Sequence, residues 1–239
     1  MSNPLIIDAH VHCGSKTIHY PIERIIENLD RLNIDGAVIF PFPEDQYRIL
    51  DTPKSRIESN RYVLEKSRIK RHIYPFYFVW RDYIIPPNLE DYKGIKWHRH
   101  LNEPEYDYES KSCKKMLEKI KELGLPVNLE EEYENTVSFI EENADLNVII
   151  PHIGMLNGGH IRVLEAFKRK KNVYFDTSLA SRGIINYAIK LVGVDRILFG
   201  SDFPYGSQEY ELKKILDLDL KRKEFEKILS GNILRLIEG

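Results

Sequence analysis

Runs of apolar residues, each of strand length, alternate with stretches of helical period along this chain of 239 residues. The runs are LIIDAHVH (5–12), GAVIFPF (36–42), IYPFYFVW (73–80), GIKWH (94–98), PVNLE (126–130), NVIIPHIG (147–154), VYFDTS (173–178) and RILFGSD (196–202). Most are nearly continuous in apolar residues, as parallel strands buried on both faces are. Between them, PIERIIENLDRL sets Ile22, Ile25, Ile26, Leu29 and Leu32 on one helical face. KSCKKMLEKIKELG stops at Gly124, the residue type that ends a helix without steric cost. Eight such strand and helix repeats predict an α/β fold, a (β/α)8 TIM barrel rather than an open doubly wound sheet. The segment 208–238 has room for a last helix and an extra one. No Ser/Gly-rich linker or shift in composition interrupts the pattern, so residues 1–239 are expected to form one domain.

Composition narrows the function more than the fold. Lys and Arg number 35 against 37 Asp and Glu, a net charge of −2 without long single-sign runs, which gives no electrostatic reason to bind nucleic acid or a membrane surface. No stretch of about 18 apolar residues could span a bilayer, and the opening MSNPLIIDAH has neither a basic leader nor a long apolar segment. Cys13 and Cys113 form no metal spacing and no disulfide framework, so a cytoplasmic location is expected. A small-molecule substrate is the remaining class of partner; a homo-oligomer is compatible with the sequence.

The chemistry gathers at the ends of the runs. In LIIDAHVHC, residues Asp8, His10 and His12 stand at alternate positions, so a regular strand would place all three on one face. His10 and His12 have metal-ligand spacing, although an isolated H-x-H also fits histidines that merely face solvent. Arg81 follows the third run, Lys96 and His98 end the fourth, Asn128 and Glu130 the fifth; His152, Asp176 with Ser178, and Asp202 follow in the last three. In a parallel barrel these ends form one rim, where such folds keep their active sites. Each residue also has a plain structural reading. Arg81, Lys96 and His98 would be solvated rim residues, the EEE run from Glu130 a helix start, Asp176 a loop cap, and His152 a core histidine with satisfied partners. The convergence of the histidines with Asp202, a carboxylate costly to desolvate without a cation or donor, favours a site.

Taken in order, DAHVH, GIKWH, LPVNLE, VIIPHIG, NVYFDTS and DRILFGSDFP resemble the amidohydrolase-related TIM-barrel family. That branch of the amidohydrolase superfamily contains metal-dependent hydrolases, lactonases and nonoxidative decarboxylases. The resemblance runs from Ile7 to Pro204 and implies His10 and His12 as first-strand metal ligands. It implies Asp202 as the last-strand aspartate that binds metal or handles the proton, and His152 as the sixth-strand histidine that binds metal or polarises substrate. Lys96 and His98 match a G-x-K-x-H stretch and become substrate-pocket residues; Lys96 could also be carboxylated and bridge two metals, as in binuclear relatives. The fifth strand departs from the pattern, with Glu130 where relatives usually have histidine. A glutamate still ligates zinc or manganese, so Glu130 is expected to reach the metal directly or through water, with Glu131 and Glu132 a solvated helix start. The implied cofactor is one divalent ion, zinc or alternatively manganese.

Metal-assisted hydrolysis follows from that set. A bound ion lowers the pKa of its water from about 15.7 to about 7, and Asp202 takes the proton and returns it to the leaving group. His152, with Arg81 or Lys96, would hold the carbonyl oxygen or a substrate carboxylate, which suits a small anionic amide or lactone. A decarboxylase on the same scaffold is the alternative. A TatD-type nuclease also opens with H-x-H, but GEIGLD-like and ETDAP-like stretches are missing. A ligand-binding barrel without catalysis is the non-enzymatic reading. Specificity is expected in the loops 43–55 and 99–110.

Overall fold

Eight strands, β1 (Ile7–His12), β2 (Gly36–Phe40), β3 (Ile73–Val79), β4 (Gly94–His98), β5 (Val127–Glu130), β6 (Val148–Ile150), β7 (Val173–Asp176) and β8 (Ile197–Leu198), lie in chain order in one sheet. Each adjacent pair is parallel. The computed structural model describes residues 4–14, 20–43, 52–99, 103 and 105–239, so parts of both expected specificity loops lie outside the described residues. β6 and β8 are shorter than their apolar runs. Pro151 has no N–H for the ladder, and beyond Leu198 the chain pairs irregularly with β1 to close the barrel: Ala9 N donates to Phe199 O (2.8 Å), Asp202 N to His10 O (2.9 Å) and His12 N to Phe203 O (2.8 Å).

The helices are α1 (Ile22–Leu32), α2 (Pro53–Lys66), α3 (Lys111–Leu123), α4 (Tyr133–Glu142), α5 (His160–Phe167), α6 (Arg182–Val192), α7 (Gln208–Leu216), α8 (Arg222–Glu226) and α9 (Asn232–Glu238). None is long and apolar enough to cross a membrane. In α1 the expected residues Ile22, Ile25 and Leu29 are buried. α3 starts where the Ser110 hydroxyl accepts the Cys113 N–H at 3.1 Å and stops at Gly124 with φ 64°, the left-handed turn that only glycine adopts freely. The expected strand–helix alternation fails once. Between β3 and β4 stands only a short 3₁₀ turn, Leu89–Asp91, because Pro86 and Pro87 remove two donors from the middle of that connection.

Two apolar cores result. One packs the outer faces of the strands against the helices, with Val11, Ile39, Val79 and Trp97 among its members. The other fills the barrel interior with Ile7, Ala9, Val38, Phe40, Tyr74, Phe76, Ile149, Tyr174 and Leu198, and takes in Ile233, Leu236 and Ile237 of α9. The extra C-terminal helix thus plugs the barrel near the strand starts, and the polar residues are left at the opposite mouth.

β1 changes phase on its way to that mouth. Its register with β2 slips between Asp8 and Val11, so Ile7 and Ala9 join the inner core while Val11 and Cys13 join the outer one. The expectation that Asp8, His10 and His12 share a face therefore fails. Asp8 instead accepts from Ser201 N (2.9 Å), Ser201 Oγ (2.5 Å) and Gln208 Nε2 (2.8 Å), which fastens the β8 turn to β1.

Packing is tight where the site strands begin. A Cβ built on Gly94 would lie 2.4–2.6 Å from the ring of the fully buried Phe76. Gly94→Ala should therefore lower stability by about 1–3 kcal/mol through overpacking, read as a lower denaturant midpoint; an unchanged midpoint would contradict the contact.

Candidate active site

Two imidazoles and a carboxylate meet at the end of the barrel. Asp202 Oδ1 lies 3.2 Å from His10 Nε2 and 3.3 Å from His12 Nε2. The other ring nitrogens are already committed: His12 Nδ1 is 3.1 Å from Pro41 O, and His10 Nδ1 is 2.8 Å from Asp176 Oδ2. A carbonyl and a carboxylate can only accept, so both rings carry a proton on Nδ1. Each neutral ring then turns a lone pair toward Asp202, and His10 Nε2 is buried with no hydrogen-bond partner among the described residues. Three acceptors facing one point repel one another unless a cation or additional protons lie between them. Ligands about 2.0–2.2 Å from one ion stand about 3.0–3.4 Å apart, so the His10, His12 and Asp202 atoms, close enough together to hold a metal, fit one.

Without such an ion, protons take its place. Burial and the Lys96 charge work against a charged His10, but Asp176 and Asp202 overcome them and raise it to about 9. Burial dominates at His12 and lowers it to about 4 against the pull of Asp202. Burial would raise Asp202 too, yet its two imidazole neighbours hold it well below the usual carboxylate range.

A second cluster, His10, His152 and Asp176, has its carboxylate saturated. Besides His10 Nδ1 on Oδ2, Asp176 Oδ1 accepts from His152 N (3.1 Å), Ser178 N (3.1 Å) and the Ser178 hydroxyl. A carboxylate has about four acceptor sites, so Asp176 orients its neighbours and has little left for a ligand. His152 sits in a left-handed turn, with φ 54° at His152, 48° at Ile153 and 77° at Gly154. For a side chain beyond glycine this conformation costs roughly 1–2 kcal/mol per residue. Asp176, which accepts the His152 N–H, and Ser178, whose Oγ is 2.8 Å from His152 Nδ1, hold that turn.

β4 and β5 build the facing wall. Lys96 pairs in register with Asn128, and His98 with Glu130. Lys96 Nζ, fully buried, donates to Asn128 Oδ1 (3.0 Å) and to Glu130 Oε2 (2.9 Å). Glu130 lies 3.5 Å from His98 Nε2 and 3.7 Å from His152 Nε2, so the carboxylate is common to both halves of the mouth. Aromatic rings surround the histidines. Phe40 lies 5.0 Å from His10 and 4.7 Å from His12, and Phe42 and Tyr205 lie 5.4 and 5.1 Å from His12.

A family model described as amidohydrolase matches residues 91–238, more than half of the chain. The chain belongs to the amidohydrolase family. Solved structures agree in fold. 5-Carboxyvanillate decarboxylase LigW from Sphingomonas paucimobilis superposes with a TM-score of 0.76 at 12% identity over 99% of each chain. A candidate 2-pyrone-4,6-dicarboxylic acid hydrolase from Pseudomonas putida gives 0.77 at 15% over 99% of this chain and 98% of that one. A dihydroxybenzoic acid decarboxylase from Polaromonas sp. JS666, solved with manganese and 2-nitroresorcinol, gives 0.73 at 14% over 100% and 97%. At these identities the likeness is one of fold. No curated protein matches the chain.

The amidohydrolase barrel brings His10, His12, His152, Asp202, Lys96, His98 and Glu130 to one mouth, and leaves Arg81 out. Arg81 is exposed in the turn after β3 and makes no ion pair or hydrogen bond to the cluster among the described residues. Among the described residues Glu130 stands in neither potential metal group, and Lys96 engages its carboxylate. Glu131 is not the solvated residue expected. It is fully buried, 2.7 Å from Arg99 Nη1, and accepts the Tyr108 hydroxyl at 2.8 Å. Period two explains this: His98 and Glu130 face the mouth, so Arg99 and Glu131 face outward together. Asp176 caps its loop as expected and also holds His10, a contact that the sequence signals only through a carboxylate ending a strand two places round the barrel from the H-x-H strand.

The Lys96–Glu130 pair is testable by itself. Lys96→Met leaves Glu130 without its cation and should cost about 3–5 kcal/mol in the metal-free protein, and adding Glu130→Gln should restore most of it. Equal unfolding midpoints for wild type and Lys96→Met would show that the pair contributes nothing.

Proposed function

We propose that this amidohydrolase is a metal-dependent hydrolase of a small anionic amide or lactone, with its metal held by His10, His12 and Asp202. The observation that carries the reading is the meeting of His10 Nε2, His12 Nε2 and the Asp202 carboxylate at one point, with the Nδ1 atom of each ring already donating elsewhere. When bound, the ion, zinc or alternatively manganese, supplies a water whose pKa falls from about 15.7 to about 7. Asp202 accepts a proton at its carboxylate and returns it to the leaving group. His152 Nδ1 donates to the Ser178 hydroxyl, which itself donates to Asp176, so Nε2 faces the mouth and would hold the carbonyl oxygen of the substrate only with the ring doubly protonated. Lys96 and His98 line the substrate side, with Glu130 offsetting the lysine charge. Residues 1–239 act as one domain, and the free thiols Cys13 and Cys113 suit the reducing cytoplasm.

A nonoxidative decarboxylase is the second reading. It is favoured by the aromatic surround of Phe40, Phe42 and Tyr205, which suits a flat ring, and by the decarboxylases among the similar structures. Zinc-loaded and manganese-loaded protein incubated with lactones, amides and hydroxybenzoates separates the two. Hydrolysis without carbon dioxide supports the first reading; carbon dioxide release transfers the chain to the second.

Metal titration tests the ligand set. His12→Ala should weaken zinc binding by 10-fold or more, in the range of about 10–100-fold or beyond that even outer-shell changes reach, while Glu130→Gln should stay within a few-fold of wild type. Equal losses in both variants would return Glu130 to the ligand set. Chelation should abolish turnover, and Asp202→Asn should lower it by roughly 10²-fold or more, the lower range for an acid–base group; full activity in metal-free protein would refute the reading.

A further inference from the structure

The wall opposite the metal cluster carries two buried donors that nothing in the described chain receives. β3 and β4 pair Phe78 with Lys96, and β4 and β5 pair Lys96 with Asn128 and His98 with Glu130. Tyr74 and Phe76 belong to the inner core, so two-residue alternation puts Phe78 on the same inner side, and Trp80, one residue past the end of β3, is placed by its contacts, with the Arg56 guanidinium of α2 6.0 Å from its ring. Trp80 stacks on Phe78, with centroids 4.4 Å and planes 16° apart, and Phe78 lies 5.9 Å from His98. Trp80 Nε1 and Asn128 Nδ2 are buried without an acceptor among the described residues, in side chains with 3% and 0% exposure. The Asn128 amide has only one orientation here. Its Oδ1 receives Lys96 Nζ, and an ammonium can only donate, so Nδ2 faces away with its hydrogens free.

Buried donors without partners are costly, and one retained at the mouth of a site is satisfied when a ligand brings the acceptor. The wall also has a chemical bias. Glu130 already balances Lys96 at 2.9 Å, so the unused donors are neutral N–H groups beside aromatic faces. They match a neutral or delocalised oxygen on a flat ring better than a second full carboxylate.

We propose that Trp80 and Asn128 form a specificity subsite for the second oxygen, a ring hydroxyl or ring carbonyl, of a planar cyclic acid whose other end lies at the metal cluster. This deepens the reading under Proposed function and rests on its placing the substrate in this mouth. It holds for a lactone and for an aromatic acid alike.

The chain has two tryptophans, Trp80 and Trp97, so ¹⁵N-tryptophan labelling gives two indole N–H signals that Trp80→Phe assigns. Zinc-loaded protein is titrated with benzoate and with 2-, 3- and 4-hydroxybenzoate. At least one hydroxybenzoate should move the Trp80 signal downfield and leave that of Trp97, on the outer core, in place. The same isomer should bind about 3–10-fold more tightly than benzoate, the gain from one neutral hydrogen bond. Trp80→Phe, which keeps the ring, should reduce that preference while benzoate affinity stays within two-fold or so of wild type, and Asn128→Asp, which keeps the acceptor for Lys96 but adds a charge that weakens all four acids, should reduce the preference as well. A stationary Trp80 signal with all four acids, or an equal preference in wild type and both variants, overturns the subsite. If zinc binding and turnover persist in that case, the subsite alone has failed. A responsive Trp80 without turnover of any substrate sinks the reaction and keeps the subsite.

Discussion

The carboxylate of Asp176 joins the ends of β1, β6 and β7, and β1 is paired with neither of the other two. One oxygen receives His10 of β1, and the other receives the backbone of the turn after β6 and both donors of Ser178 after β7. With its acceptor sites filled it stays ionised below the usual range: in the metal-free protein the charge on His10 outweighs burial, and when His10 is neutral the same hydrogen bond fixes which nitrogen keeps the lone pair. The His10 tautomer, the strained His152 turn and the direction of the His10 lone pair all follow from this single buried charge. A neutral residue there would leave the imidazole free to rotate and the left-handed turn without its anchor.

Charge is handled differently on the two sides of the mouth. On one side, carboxylates and imidazoles meet as acceptors in excess, a surplus of negative potential that a divalent ion would neutralise. On the other, Lys96 and Glu130 neutralise each other, and a step behind them Arg99 and Glu131 do the same. These ion pairs are buried at a desolvation cost that packing with apolar residues would avoid. Their retention ties β4 to β5 by side chains as well as by the ladder, and keeps the wall rigid where the strands end.

Much of the barrel was legible in the sequence because parallel strands announce themselves as unbroken apolar runs: GIKWH forms β4 at its stated bounds, and KSCKKMLEKIKEL forms α3 up to Gly124. The misses share a cause. Asp8 left the face of His10 because a slip of register in β1 is invisible to a period of two, and Glu131 was read as solvated because its partner Arg99 is 32 residues away in sequence. The β3–β4 crossing lost its helix to Pro86 and Pro87, a signal that was present and outweighed by the eightfold pattern. At the site, residue types and strand ends lead to one mouth of the barrel, but the pairing of Lys96 with Glu130 there is a matter of tertiary distance, which spacing along the chain does not carry.

The plug formed by α9 has a consequence for how the protein is made. Ile7 and Ala9, among the first residues of the inner core, find Ile233, Leu236 and Ile237 among the last. During synthesis the interior of the barrel therefore stays wet until residues more than two hundred positions downstream leave the ribosome, and the early strands wait with their apolar faces uncovered. The floor of the barrel thus rests on contacts of long sequence separation, whose loop-closure cost is met before their burial rewards it.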